Sequence, residues 1–234
     1  RDEVLLGSPR KPEAVKEEIA KYYAMITEVD HEIGRVLDAL KASGQYDNTI
    51  IVFAADNGLA VGQHGLLGKQ NLYDHSMRVP LIFSGPGIPA NERNDAYCYL
   101  TDVFSTLCHI NNVPIPNTVT GKSLDTAFNN KSFKGRQHLF LTYSNLQRAV
   151  VKDNYKLVLY NVKGQQPVQL FDLNKDPLEI NNLAENKAYA GKMKSLKTLL
   201  QSEMKAYGDF CDLTKADWGM PGVLTNAKML QINP

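Results

Sequence analysis

Residues 49–58 read Thr-Ile-Ile-Val-Phe-Ala-Ala-Asp-Asn-Gly, an unbroken β-branched and apolar run that stops at two polar residues and a glycine. A run without a polar face predicts a strand buried on both sides, as in a parallel sheet covered by helices. A second run, residues 79–84, ends at Gly85-Pro86-Gly87. The two runs predict neighbouring strands of an α/β fold, provided that helices flank them.

Helical patterns do flank the two strands. The first has apolar residues spaced alternately by four and three, which places them on one helical face: Val15, Ile19, Tyr22, Ile26, Val29, Ile33, Val36 and Leu40. Pro12 suits its first turn and Gly44 its left-handed stop. We expect this helix to pack on a sheet, with a coiled-coil seam as the alternative. A shorter helix is predicted from Thr101.

The pattern changes beyond Asn112, where loop-forming residues become frequent. Four short strands are predicted at residues 139–143, 148–152, 155–160 and 168–172. A final amphipathic helix carries Tyr189, Met193, Leu196, Leu200 and Met204. We predict a small antiparallel sheet with one helix. The domains are then residues 1–130 for the α/β part, 131–207 for this α+β subdomain and 208–234 for an irregular tail.

Composition excludes several classes of protein. The 234 residues include 26 Lys and Arg against 25 Asp and Glu, a formal net charge of +1. That balance gives no field to attract nucleic acid or an anionic membrane. The longest apolar run, residues 50–55, is far shorter than the roughly 20 residues that span a bilayer. Cys98, Cys108 and Cys211 are too few and too scattered for a disulfide framework or a zinc site.

The polar residues after the first strand are candidates for a metal site. Ligands of an open α/β sheet bind at the carboxyl ends of its strands, which is where Asp56 and Asn57 lie. A carboxylate beside an amide oxygen is a pair of hard ligands suited to calcium or magnesium. Gly58 allows a sharp turn behind them. The alternative is an ordinary Asp-Asn-Gly turn without a ligand.

A glycine-rich loop follows this turn. Residues 62–69 read Gly-Gln-His-Gly-Leu-Leu-Gly-Lys, so His64 and Lys69 lie close in sequence to the proposed metal ligands. Lys69 can place a point charge on an anionic oxygen. From this chemistry alone, a solvated loop lysine and a surface histidine are an equally good interpretation.

Taken in order, these motifs resemble the second half of a type I sulfatase. The matching residues are Asp56-Asn57-Gly58, Gly62-Gln63-His64-Gly65, Gly68-Lys69, Tyr73, Arg78-Val79-Pro80-Leu81, Gln147-Arg148-Ala149-Val150, Tyr155-Lys156-Leu157 and the stretch 170–177. The resemblance extends over about residues 15 to 206, and the ordered set is far more specific than any single piece.

This resemblance implies an alkaline-phosphatase-like α/β domain with a smaller C-terminal subdomain, and hydrolysis of sulfate esters of sugars or aryl alcohols. The family's nucleophile is a formylglycine made from Cys or Ser in a Cys/Ser-x-Pro-x-Arg motif. One Ca²⁺ is held by two aspartates from the N-terminal half and by a pair that matches Asp56 and Asn57. The sulfate-contacting lysine of the family matches Lys69. Members are periplasmic, secreted or lysosomal, which is the expected location here.

The chain departs from the family in one respect. No cysteine or serine stands in the formylglycine motif, and the aspartate pair of the first half has no counterpart. We therefore expect the chain to correspond to the C-terminal half, to need the N-terminal half of the same protein as its partner, and to be inactive alone. The alternatives are a phosphodiester or phosphonate hydrolase of the same superfamily and a non-catalytic fragment.

Two further residues complete the predicted site. His64 is a candidate catalytic residue that would line the pocket, although its spacing does not match the family's general acid. Arg148 is a candidate for binding the sugar or aryl part of the substrate, and an exposed strand arginine is the alternative. Asp74 and His75 are expected to have structural roles.

Overall fold

The computed structural model describes residues 5–7, 9–162 and 164–218. Its contacts divide the chain into two units, Arg1–Gln137 and His138–Pro234. The boundary predicted from the sequence is residue 130. The first unit contains a long helix, a two-stranded sheet and three shorter helices, and the second contains a four-stranded sheet with one helix.

Helix α1, Pro12–Ala42, opens the first unit with Pro12 in its first turn. Gly44, just beyond its end, has a φ of 72°, which confirms the predicted left-handed stop. The apolar stripe, however, is only partly covered within this unit. No residue of α1 is buried, and Val29 and Val36 are more than half exposed. Across the described residues, no helix is long and apolar enough to cross a membrane.

Strands β1, Ile51–Ala54, and β2, Leu81–Ser84, form a two-stranded sheet. They pair antiparallel, with Ile51 opposite Ser84 and Ala54 opposite Leu81, so the predicted parallel arrangement is wrong for this pair. The connection between them holds the 3₁₀ turn Gln63–Gly65 and the one-turn helix α2, Asp74–Met77, and it lacks a long α-helix such as parallel neighbours usually have between them. The predicted cover over both faces is not supplied by the described residues of this unit, because Phe53 and Ile82 are 41% and 56% exposed.

Helices α3, Thr101–Ile110, and α4, Thr126–Asn129, complete the first unit. Asp102, in the first turn of α3, is fully buried. Its carboxylate accepts hydrogen bonds from the backbone N–H groups of Tyr99 and Lys122 and from the Arg136 guanidinium. Burial raises the pKa of Asp102, but these donors outweigh burial and hold that pKa below its ordinary value. The carboxylate thereby joins three segments of the unit.

The second unit is built on an antiparallel sheet whose strands lie in chain order. Its strands are β3, Leu139–Tyr143; β4, Gln147–Lys152; β5, Tyr155–Tyr160; and β6, Val168–Asp172. The predicted bounds of all four strands agree with the observed bounds to within one residue. Asp153 and Asn154, with φ of 52° and 59°, form the tight turn between β4 and β5. The hydrophobic alternation and turn residues are therefore sufficient to predict this sheet.

Helix α5, Ala190–Ala206, packs its apolar stripe on the sheet. Leu196 and Leu200 lie against Val150 and Leu157 in the core of this unit. The following segment, up to residue 218, adds buried side chains to the same core, Cys211 and Trp218. Residues 219–234 of the predicted irregular tail lie outside the described residues.

Candidate active site

The predicted metal ligands lie in a tight turn just after β1. The Asn57 N–H donates to Asp56 Oδ1 at 2.8 Å, and Asn57 Nδ2 donates to the Gly58 carbonyl at 2.9 Å. The Gly58 N–H donates to the Ser76 carbonyl at 3.0 Å. The turn is thus held by its own hydrogen bonds and tied to α2 behind it.

The oxygen atoms of this turn remain available to a ligand. Asp56 is exposed and Asn57 half-buried. Within the described residues, Asp56 Oδ2 and Asn57 Oδ1 accept no hydrogen bond. Adjacent carboxylate and amide oxygens are a donor set that fits a hard cation such as Ca²⁺. The described part of the chain contains no group of three or more His, Cys, Asp or Glu side chains able to hold a metal. Two oxygens are fewer than the about six to eight that calcium takes, so a calcium ion at this turn would need further ligands.

Gly58 is needed because backbone packs directly against it. A Cβ added at this position would lie 2.0 Å from the His75 carbonyl oxygen, which belongs to the backbone of α2. No side chain can relieve such a contact by changing rotamer. Close approach of the turn to α2 explains a glycine here without any need for an unusual φ.

We expect Gly58→Ala in the full-length protein to lower the free energy of unfolding by about 1–3 kcal/mol, because α2 and the turn must separate. Calcium affinity should fall with it, since Asp56 and Asn57 would move. Gly191→Ala is the matched control, because Gly191 is exposed in the first turn of the helix Ala190–Ala206 and an added Cβ there meets no atom within 4 Å. Denaturant unfolding and calcium titration of both variants test this. Equal stability of the two would show that the turn is not tied to α2.

The loop after this turn closes on itself like a narrow hairpin. Backbone hydrogen bonds join Ala60 N–H to Gly68 O at 3.2 Å and Gly62 N–H to Leu66 O at 2.7 Å. Because Gly68 pairs with Ala60, the backbone of Lys69 lies at the open end of this hairpin. The same end of the hairpin follows the Asp56–Asn57 turn in the sequence. Lys69 is exposed, and its ammonium makes no hydrogen bond or ion pair within the described ranges. A point charge in this position can bind an anionic oxygen.

His64 lies at the tip of this hairpin and is packed in place. It has a φ of 53°, and its ring stacks on Tyr73 with 3.9 Å between centroids and 2° between planes. His75 approaches both rings, at 5.7 and 5.6 Å. This aromatic cluster of His64, Tyr73 and His75 was not predicted, although the three residues lie within twelve positions of the sequence. A direct catalytic role for His64 stays a prediction.

Arg148 lies in the second unit and is almost fully buried on β4. Its guanidinium donates to both carboxylate oxygens of Asp209 and to Cys211 Sγ at 2.8 Å. Burial raises the pKa of Asp209, yet the hydrogen bonds from Arg148 outweigh burial and lower that pKa. The exposed-arginine alternative is therefore wrong. A contact of Arg148 with substrate stays a prediction, because the observed contacts assign it to holding the segment after α5.

Family models match both parts of the chain. The model described as "Sulfatase" matches residues 6–113, and the model described as "N-sulphoglucosamine sulphohydrolase, C-terminal" matches residues 62–206. An arylsulfatase of Clostridium perfringens is 33% identical over 201 residues, which are 82% of this chain and 41% of that protein. The chain thus spans well under half the length of this relative.

Solved structures share the fold. A protein in complex with its substrate D-glucosamine-2-N,6-O-disulfate superposes with a TM-score of 0.74 at 30% identity, over 80% of this chain and 40% of that one. The phosphonate monoester hydrolase of Agrobacterium radiobacter gives 0.74 at 26% identity, over 92% and 48%. The α/β expectation is confirmed as the alkaline-phosphatase-like fold of these neighbours. Together with the family models, these matches show that the chain belongs to the sulfatase family and corresponds to the C-terminal part of its members.

Proposed function

We propose that the protein containing this chain is a sulfuric ester hydrolase, and that the chain supplies half of its calcium site and the lysine that contacts the sulfate. The observation that carries this proposal is that one loop holds two oxygen ligands and a cation: Asp56 Oδ2, Asn57 Oδ1 and the Lys69 ammonium have no hydrogen-bond partner among the described residues. The chain contains no cysteine or serine in the formylglycine motif, so the nucleophile has to come from another part of the protein. We therefore propose that the chain alone is inactive.

A sulfated sugar is the substrate class we favour. The family model over residues 62–206 is named for a sulphoglucosamine sulphohydrolase, and one solved neighbour holds a glucosamine disulfate as its substrate. The similarity to an arylsulfatase keeps aryl sulfates as usable test substrates. The second candidate is phosphonate ester hydrolysis, which the likeness to a phosphonate monoester hydrolase favours.

The chain's own residues have separate roles in this proposal. Asp56 and Asn57 would hold a calcium ion at the end of β1, and this ion would supply Lewis-acid chemistry to the site. Gly58 allows α2 to support their turn. Lys69 places its ammonium on a second sulfate oxygen and stabilises the negative charge that grows as the bond from sulfur to the alcohol oxygen breaks. His64, fixed on Tyr73, lines the same loop.

The remaining part of the protein is proposed to cover the apolar surfaces of the first unit. Val36 on α1, Phe53 on β1 and Ile82 on β2 are each at least 41% exposed. Exposed apolar side chains of this kind stabilise a fold only when another layer covers them. We propose that the N-terminal half of the sulfatase forms that layer and adds the other calcium ligands.

Calcium binding tests the metal assignment. In the full-length protein, Asp56→Ala is expected to weaken calcium binding strongly, because the turn loses its only charged ligand. Asp47→Ala is the matched control, since Asp47 is exposed and its carboxylate has no partner among the described residues. Isothermal titration calorimetry measures both. Unchanged affinity in Asp56→Ala would remove this turn from the metal site.

A further inference from the structure

A buried asparagine, Asn71, lies two residues after Lys69. It is 1% exposed, and the next two residues, Leu72 and Tyr73, are also buried. The Asn71 N–H donates to the Lys69 carbonyl at 2.8 Å. The side-chain Oδ1 of Asn71 accepts a hydrogen bond from the Tyr73 N–H at 3.1 Å. Asn71 therefore joins the backbone of Lys69 to the residue that immediately precedes α2.

The backbone of Lys69 is held on both sides by hydrogen bonds. Before it, the Gly68 carbonyl accepts from the Ala60 N–H at 3.2 Å, and after it, the Lys69 carbonyl accepts from Asn71. The ammonium itself is on an exposed and flexible four-carbon stem. Because the stem is flexible, the region that the ammonium can reach is set by the position of this backbone.

The same hydrogen bonds continue to the proposed calcium ligands. The Tyr73 carbonyl accepts from the Ser76 N–H at 3.0 Å, and the Ser76 carbonyl accepts from the Gly58 N–H at 3.0 Å. Gly58 directly follows the two proposed ligands. A hydrogen-bonded path thus runs from Lys69 through Asn71 to the metal turn, so a shift of Asn71 changes the position of the lysine relative to that turn.

The amide of Asn71 lowers stability in one respect. Its Nδ2 is buried and donates no hydrogen bond to the described residues. A buried donor without an acceptor costs free energy of folding. A serine hydroxyl could accept from the Tyr73 N–H without burying an NH₂ group. Departures of this kind from the most stable choice are typical of functional sites.

We propose that Asn71 is a positioning residue that sets the place of the Lys69 ammonium relative to the calcium ligands Asp56 and Asn57. The role of Lys69 in catalysis rests on the proposed function, whereas the hydrogen-bonded path does not. Because its side chain is buried, Asn71 does not contact the substrate itself. It acts through the backbone of Lys69.

The test is a double-mutant cycle on the turnover of an aryl sulfate by the full-length protein. Asn71→Ala removes the side-chain bond to Tyr73 and keeps the backbone bond to Lys69. It should lower kcat about 10- to 100-fold with little change in KM, because the displaced ammonium meets the transition state poorly. In a Lys69→Ala background it should lower kcat by no more than about twofold. Asn71→Ser should recover part of the loss, since a hydroxyl closes such a turn more weakly.

The matched control is Asn94→Ala. Asn94 Oδ1 accepts from the Ala96 N–H at 2.9 Å, in a turn of the same kind outside this loop. The control should keep the kcat of the parent. If Asn71→Ala lowers kcat equally with and without Lys69, the asparagine acts on the fold and the proposal is overturned. The proposal also fails if Asn71→Ala and the control have the same kcat.

Hydrogen exchange separates this inference from the proposed function. Loss of the bond to Asn71 Oδ1 should speed exchange of the Tyr73 amide about fivefold in Asn71→Ala. Unchanged exchange would overturn the proposal whatever the activity. Faster exchange together with unchanged turnover in Lys69→Ala would refute the proposed function of Lys69, and it would support the positioning of that backbone by Asn71.

Discussion

Replacing Lys69 with alanine in the full-length enzyme is expected to lower turnover of an aryl sulfate by about 100- to 1000-fold. The ammonium is at the base of the hairpin that follows Asp56 and Asn57, and it has no partner within the described residues that would give it a structural role. A group that meets charge developing in the transition state affects kcat more than KM. Steady-state kinetics measure both quantities.

The matched control for this variant is Lys122→Ala. Lys122 is an exposed loop lysine, and its observed hydrogen bond to Asp102 comes from the backbone, which alanine keeps. It should retain near-normal turnover. Circular dichroism should show that both variants fold like the parent. If Lys69→Ala and the control turn over equally, Lys69 is a surface lysine and the sulfate site has to be placed elsewhere.

Replacing Asp102 with asparagine is expected to lower the free energy of unfolding by about 3 kcal/mol at pH 7. The substitution keeps the size of the side chain but leaves the Arg136 guanidinium, whose side chain is 12% exposed, without its counterion. Asp95→Asn is the control, because Asp95 and Arg93 form an ion pair that is exposed on the surface. Such pairs stabilise a folded protein by about 0–1 kcal/mol. Denaturant unfolding compares the two variants.

The pH dependence of stability is an independent test of the role of Asp102. The folded pKa of Asp102 lies below its ordinary value of 3.8, so the carboxylate contributes stability that is fully present above that value. This contribution is lost as pH falls through the folded pKa. As the pH falls below about 4, the free energy of unfolding of the parent should therefore decrease more steeply than that of Asp102→Asn. Identical acid slopes would show that Asp102 is not charged in the native state.

Local patterns predicted the second unit well and the first unit only partly. The strands from Leu139 to Asp172 follow alternation and turn residues that are contained within the sheet itself. The direction and burial of β1 depend instead on which elements lie beside it. The sequence of β1 predicts a strand that needs two covered faces, and the described residues of this unit do not cover both of them.

The candidate site residues are neighbours in sequence. Asp56, Asn57 and Lys69 lie in one loop, and their roles in metal and sulfate binding stay predictions. Ion pairs between residues distant in sequence were not predicted, because the local sequence pattern does not indicate which residue is the partner. Arg148 is joined to Asp209, and Lys156 to Glu179 with 2.7 Å between Nζ and Oε1. Strand patterns favour surface positions for lysine and arginine, and only the folded chain shows these buried carboxylates.

The most direct test of the sulfatase assignment compares two esters with the same leaving group. Purified full-length protein with calcium would be assayed on 4-nitrophenyl sulfate and on 4-nitrophenyl phenylphosphonate, with kcat/KM determined for each and released sulfate measured independently. The assignment predicts a higher kcat/KM for the sulfate ester and one sulfate ion per nitrophenol. A higher kcat/KM for the phosphonate ester, or nitrophenol release without sulfate, would contradict it.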